Sequence, residues 1–148
     1  MDIKRTRILT VGRGSNRRTV EIKVYDSAAK ILFAIDTALE CCGSITELTS
    51  SMDLDSFLMD KRTMKAVAMD MQTIGNFMKE MPEEILSYAP QLMSAYGFRC
   101  IIAHDYGNTS FDYPMLWDAC VHDVPQMYSA LKKARMAVVS EGVRFYDS

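Results

Sequence analysis

The stretch MKAVAMDMQTIGNFMKEM, residues 64–81, decides the fold class. Its apolar residues recur every three or four positions, which is the spacing that places side chains on one face of an α-helix. Pro82 follows directly, and a proline interrupts a helix because it lacks the backbone N–H and its ring is bulky. The stretch therefore predicts a long amphipathic helix with one buried face, made of Met64, Val67, Ala68, Met71, Ile74, Gly75, Met78 and Met81.

Three further stretches show the same period. The first covers residues 28–42, with Gly43 as its predicted C-cap, and a short turn capped by Asp53 or Asp55 follows it. Another begins at Pro90 and ends near His104, and the last covers residues 114–138, with a break and restart at 123–125. Four amphipathic helices with short connections predict an all-α fold, an antiparallel four-helix bundle with a kinked last helix.

The first 24 residues differ from the rest in charge and in period. They hold seven basic and two acidic residues, whereas the remainder of the chain is net acidic. Apolar and charged residues alternate over 20–24, and a glycine-containing turn at 12–16 is typical of a β-hairpin. A solvated tail is the alternative. We divide the chain into a basic N-terminal extension (1–24), a helical domain (25–143) and a C-terminal tail (144–148).

Composition limits the class of protein. A chain of 148 residues with 49% hydrophobic and 24% charged residues is long enough for one core and too apolar for disorder. The net charge of −2 argues against a uniformly basic surface for nucleic acid. The sequence has no apolar run long enough for a membrane helix or a signal peptide, so we expect a cytoplasmic protein with reduced cysteines and no membrane contact.

Metal and cofactor sites are weakly supported. Gly12 and Gly14 give only a fragment of a phosphate-binding loop. The pairs Cys100-x3-His104 and Cys120-x-His122 supply zinc ligand types, but residues two apart do not share a helix face. We therefore predict no metal and no cofactor.

The run RCIIAHDYG, residues 99–107, carries the candidate chemistry. Arg99 is a permanent cation, and His104 is one of only two histidines. A five-residue step turns about 140° on a regular helix, so the two side chains converge only at a frayed end or across a twofold dimer axis. The alternative is structural: Arg99 pairs with a carboxylate and His104 interacts with the C-terminal end of its helix dipole.

With Tyr106 added, this run resembles the signature of the HEPN superfamily, and within it of the HepT-like proteins: Arg, four to six residues, His, and then x-Tyr. Downstream, Asp112, Leu116-Trp117 and Asp123-Val124-Pro125 match further marks of that family. The resemblance covers residues 25 to about 137. Cys100 stands where the family usually has a polar residue, and Asn76 stands where relatives often carry Glu.

The resemblance implies a homodimeric four-helix bundle that acts as a metal-independent endoribonuclease toxin. Its partner is a minimal nucleotidyltransferase antitoxin and its substrate is RNA. Arg99 and His104 are then the catalytic residues, and Tyr106 and Cys100 belong to substrate binding or modification, with Tyr106 as the acceptor of adenylyl groups. The alternative function is a non-catalytic helical dimer that binds the nucleotidyltransferase and is adenylylated by it.

Overall fold

The structure is a computed structural model that describes residues 4–11, 13–25, 28–79, 81, 86–87, 90, 92–106 and 111–147. Two strands and a series of helices follow one another along the chain. The strands are β1 (Lys4–Val11) and β2 (Arg18–Tyr25). The helices are α1 (Ala28–Thr49), α2 (Leu54–Met59), α3 (Lys61–Lys79), α4 (Leu92–Asp105), α5 (Tyr113–Asp118) and α6 (Val124–Asp147), with a π-helical segment, Ala119–Asp123, joining the last two.

The N-terminal extension forms the predicted β-hairpin. β1 pairs antiparallel with β2, in a register that places Lys4 opposite Tyr25 and Val11 opposite Arg18. A 3-10 turn, Gly14–Asn16, connects the strands. Gly14 has a φ of +60°, a conformation that an L side chain rarely adopts, so the glycine suits the turn.

The helices confirm the predicted all-α bundle. α1 packs against both α3 and α6, and α4 packs against the other side of α3. The predicted apolar face of α3 is buried from Met64 to Met78. The predicted stop at Pro82 and the loop at 107–110 lie outside the described residues.

α1 corrects one boundary. Gly43 is not a C-cap, because the helix continues through it to Thr49. Gly43 does not adopt the positive φ of a helix C-cap, and Ile45, two residues later, is completely buried. The burial of Ile45 extends the apolar face of α1 by one turn and outweighs the helix-weakening effect of the glycine.

The turn after α1 follows the sequence. Asp53 caps α2, since its Oδ1 accepts a hydrogen bond from the Ser56 backbone N–H at 2.8 Å and the Ser56 hydroxyl oxygen accepts one from the Asp53 N–H at 3.0 Å. This reciprocal pair is a capping box. Phe57 is thereby fixed in the core, where its ring lies 5.1 Å from that of Trp117 on α5.

The last helix corrects a second prediction. The chain does not break and restart at Asp123-Val124-Pro125, and Asp123 is not an N-cap. Instead, the Val124 N–H donates to the Ala119 carbonyl, five residues back, and the helix continues through this wider π turn. The wider turn accommodates Pro125, which would otherwise stand in the interior of a regular α-helix. α6 runs to Asp147.

The core lies between α1, α3, α4 and α6. Its largest fully buried side chains include Ile35, Ile45, Phe57, Met71, Ile74, Met78, Leu92, Leu116, Met127 and Leu131. Among the described helices, none is long and apolar enough to cross a membrane.

Candidate functional site

α3 and α4 meet closely at Gly75. A Cβ atom at this position would clash with the Cβ of Arg99 and would lie 2.5 Å from the carbonyl oxygen of Ala95. Any side chain would therefore push the two helices apart. Gly75 is the small residue in a face otherwise made mainly of methionine and branched residues, and it lets α4 approach α3 at the position of Arg99.

Arg99 is held by a residue on the neighbouring helix. Its Nε donates a hydrogen bond to Oδ1 of Asn76, with the two atoms 2.7 Å apart. Arg99 is half-buried and Asn76 is exposed. Among the residues that the structure describes, Arg99 pairs with this neutral amide and forms no salt bridge with a carboxylate, which was the structural alternative from the sequence. The bond fixes the guanidinium without cancelling its charge.

His104 lies in the last turn of α4 and is exposed. α4 is helical from Leu92 through Asp105, so Arg99 and His104 stand on one regular helix at the five-residue step described above. Arg99 lies in the middle of α4 and His104 in its last turn. The convergence of the two side chains stays a prediction.

Tyr106 follows the end of α4 and is half-buried. Its ring packs edge-on against Phe111 and Tyr113, with centroid distances of 5.2 and 5.9 Å. Burial, and to a smaller extent the neighbouring Tyr113, raises the pKa of the Tyr106 phenol. The phenol is therefore neutral at physiological pH and can donate a hydrogen bond.

A groove of about 280 Å³ lies between residues of α3 and the C-terminal part of α4, with Tyr106 in its lining. On α3 it is lined by Lys65, Ala68, Met69 and Gln72, and on α4 and its end by Ile102, Ala103 and Tyr106. Lys65 and Gln72 are functional candidates that the sequence did not single out. Their spacing of seven residues, continued by Asn76 four residues later, is the signal that places all three along one side of α3.

Cys100 is half-buried, and the other cysteines are buried; all four are unpaired thiols, as predicted. Burial, with Asp70 as the second cause, raises the pKa of Cys41 to about 11. Burial also raises the pKa values of Cys42 and Cys120 to about 12. These three thiols are packed in the core and form little thiolate at neutral pH. Cys100 differs from them because it is half-buried and lies on α4, the helix that carries Arg99 and His104.

The second histidine lies apart from the zinc pattern considered above. His122 is exposed, and its Nε2 lies 3.5 Å from Oδ1 of Asp118, whereas Cys120 is buried. Within the part of the chain that the structure describes, no group of three or more His, Cys, Asp or Glu side chains is arranged to hold a metal ion.

The comparisons with known proteins agree with one another, because the matching family and both relatives are described as ribonucleases. The model of the family described as "Ribonuclease HepT-like" matches residues 38–134. The candidate RNase MJ0127 of Methanocaldococcus jannaschii is 33% identical over 90 residues, which are 59% of this chain and 72% of that protein. The candidate RNase MJ1216 of the same organism is 25% identical over 97 residues, 64% of this chain and 78% of that protein. No solved structure matches the chain.

Proposed function

The chain belongs to the HepT-like ribonuclease family, and from this premise we propose that it is a metal-independent endoribonuclease that cuts RNA at an internal phosphodiester bond. In the proposed reaction the 2′-hydroxyl oxygen attacks the adjacent phosphorus and the bond to the 5′-oxygen of the next nucleotide breaks. The products are a 2′,3′-cyclic phosphate and a 5′-hydroxyl, and no water is consumed in this step.

The hydrogen bond from Arg99 to Asn76 is the observation that supports the proposal most directly. Negative charge increases on the non-bridging oxygens as the phosphorane forms, and a pre-positioned cation lowers the barrier because it needs no reorganisation at that moment. With Nε bonded to Asn76, the Nη nitrogens of Arg99 are the pair whose geometry suits two phosphate oxygens. A positioned guanidinium of this kind suits a phosphodiester substrate.

His104 is assigned the proton transfers. Imidazole can both accept and return a proton near neutral pH, so it can take the 2′-hydroxyl proton, or supply one to the leaving 5′-oxygen. Positioned general acid–base groups contribute about 10²–10⁴-fold to a rate. We also propose that the protein is a twofold homodimer, which supplies a second Arg99 and a second His104, so that the two roles can come from different protomers.

The experiment for the activity uses single-stranded RNA in buffer with EDTA. Wild-type protein should cut it and leave cyclic phosphate ends, identified by mass spectrometry of the fragments. His104→Ala should lose about 10²–10⁴-fold in rate. His122→Ala is the matched control, because His122 is the other histidine, is exposed and contacts Asp118. Cutting that requires added metal ion, or that survives His104→Ala, would contradict the mechanism.

We propose in addition that the enzyme is the toxin of a toxin–antitoxin pair and that a minimal nucleotidyltransferase silences it by adenylylating Tyr106. Tyr106 borders the groove and is only two residues from His104. The phosphodiester of an added adenylyl group would carry about one negative charge, and it would repel the RNA phosphate from the site. Non-catalytic binding of the nucleotidyltransferase is the competing role.

The regulatory proposal is tested by incubating the purified protein with a minimal nucleotidyltransferase and ATP. Tyr106→Phe removes the acceptor oxygen and keeps the ring, and Tyr128→Phe on α6 is the matched control. Mass spectrometry should show adenylylation of the wild type and of the control but not of Tyr106→Phe. Modification that persists in Tyr106→Phe would contradict the assignment.

A further inference from the structure

The groove and the Arg99–Asn76 pair lie on one antiparallel seam. Gly75, in the C-terminal half of α3, meets Ala95 and Arg99, whereas Lys65, near the N-terminal end of α3, shares the groove with Tyr106. The groove residues Ile102 and Ala103 stand about one helical turn after Arg99, which is about 5.4 Å along the axis of α4. A ligand in the groove would therefore lie next to a phosphate held by Arg99.

The lining of the groove combines apolar and polar side chains. Ala68 and Ile102 are buried and form its floor, and Met69, which is 64% exposed, is a flexible wall. Lys65, Gln72 and Tyr106 supply the polar part of the lining. A flat ring with apolar faces and a hydrogen-bonding edge matches this lining.

The size and the charge favour one particular occupant. At about 280 Å³ the groove lies at the lower limit of small-molecule pockets, which begin near roughly 300 Å³. It therefore suits one ring system better than a peptide segment. Lys65 and Arg99 place positive charge on the same seam, as a polyanion requires. Unpaired bases in RNA are typically recognised by aromatic contacts and by hydrogen bonds to their edges.

We propose that the α3–α4 groove is a nucleobase subsite that binds one unpaired base of the RNA next to the scissile phosphate. The Gln72 amide contacts the base edge, the Tyr106 ring contacts the base face, and Lys65 attracts the neighbouring phosphate. The subsite gives the enzyme a base preference at one position beside the cut. This inference rests on the proposed ribonuclease function.

The cleavage experiment compares two groove variants with one control. Gln72→Ala removes the edge contact, and Ala103→Leu fills the groove from an exposed position. Gln126→Ala, at an exposed position of α6, is the matched control for the loss of an amide. After limited digestion of a randomised RNA, mapping of the ends should show a preference at one position in wild type and control. Gln72→Ala should weaken this preference by up to about tenfold, the value of one net hydrogen bond.

A binding experiment tests the base subsite independently of RNA cleavage. Fluorescence anisotropy of the His104→Ala protein is measured with a single-stranded RNA and with the same RNA lacking one base. Ala103→Leu, added to His104→Ala, should weaken binding of the complete RNA by about tenfold and leave binding of the abasic RNA unchanged.

The outcomes distinguish the subsite from the function. If the wild type cuts RNA but the groove variants keep its base preference and affinity, the subsite is wrong and the ribonuclease stands. If the wild type cuts no RNA, the proposed function is wrong, and the anisotropy still decides whether the groove takes a base. Equal affinity of Ala103→Leu and its parent for the complete RNA would overturn the subsite in either case.

Discussion

Two arginines of this bundle make the same contact with different partners. Nε of Arg99 on α4 donates to Oδ1 of Asn76 on α3, and Nε of Arg135 on α6 donates to Oδ1 of Asp36 on α1, each at 2.7 Å. Asp36 is a carboxylate, and its hydrogen bond, followed by its charge, raises the pKa of Arg135. Asn76 is neutral. The Arg135 pair is thus internally balanced, whereas the Arg99 pair, counted over the described part of the chain, carries a net positive charge.

The two seams also differ in the residues that the helices contribute to them. At the α3–α4 seam, Gly75 leaves room only for the backbone and the Arg99 side chain. The α1–α6 seam is filled by ordinary apolar side chains, among them the fully buried Ile35 and Leu131. Both seams therefore carry an arginine pair near the surface, and at the α3–α4 seam the arginine's helix also meets a glycine.

The largest expected effect comes from deleting the two guanidinium groups in parallel. Arg99→Ala should lower kcat/KM for RNA cleavage by about 10²–10³-fold, the usual loss for one pre-positioned donor to a developing oxyanion. Arg135→Ala should leave kcat/KM within about threefold of wild type, because an exposed ion pair contributes little. Initial rates on one RNA test this. Equal losses in both variants would remove the functional difference between the seams.

The next effect concerns the close approach at Gly75. Gly75→Ala should lower the free energy of unfolding by about 1–3 kcal/mol, because the new methyl group overpacks the seam. Gly97→Ala on α4 is the matched control, since nothing lies within 4 Å of a Cβ there. It should raise the free energy of unfolding by about 0.4–1 kcal/mol. Urea titrations measure both, and a stabilising Gly75→Ala would show that the helices can separate at no cost.

Exchanging the partner groups sharpens the comparison. Asn76→Asp places a carboxylate beside Arg99, and we expect kcat/KM to fall by about threefold to tenfold and to depend less on salt, because the net charge offered to RNA decreases. Asp36→Asn makes the reciprocal change at Arg135 and should leave cleavage unchanged. Rates at two salt concentrations test this. A more active Asn76→Asp enzyme would mean that charge balance, not net charge, is what Arg99 needs.

The smallest expected effect concerns the reactivity of the four cysteine thiols and does not involve RNA cleavage. At pH 8.5 and with a pKa of about 11, only about one Cys41 thiol in 300 is a thiolate, and Cys42 and Cys120 are less ionised still. In native protein iodoacetamide should therefore label the half-buried Cys100 first, and all four cysteines in urea. Because the unfolded thiols ionise at lower pH than these buried ones, stability should also fall as the pH rises above about 9. Rapid native labelling of Cys41 would show that the core opens there.

The local pattern of the sequence predicts much of this fold, and the contacts between helices are what it leaves out. The period of residues 64–78 gives the buried face of α3, and Asp53 gives the cap of α2. Gly43 misled because a helical glycine becomes a cap only if the apolar face ends there, and the burial of Ile45 extends it. The bond between Asn76 and Arg99 spans 23 positions and two helices, so no local spacing could predict it.

In the candidate site, too, the local sequence predicts some residues, and only the contacts between helices reveal the others. Arg99, His104 and Tyr106 are close in sequence, and their run could be recognised without a structure. Gly75 carries a signal only in retrospect, as the small member of a large-residue stripe. Lys65 and Gln72 are polar residues on an amphipathic helix, which are ordinarily solvated, and only the position of α4 makes them part of a groove.

The π segment Ala119–Asp123 determines where the last helix can gain or lose a residue. On α6 the fully buried Val124, Leu131 and Val138 are seven residues apart, whereas Leu116 on α5 and Val124 are eight apart. The π segment between them therefore holds one residue more than the α-helical repeat. Deleting one residue from Ala119–Asp123 would bring the spacing back to seven, provided that Pro125 is also replaced by alanine. The same deletion further along α6 would rotate all later residues by about 100° and turn the core face to solvent. Insertions and deletions in relatives of this chain are therefore expected to collect at this turn of the helix.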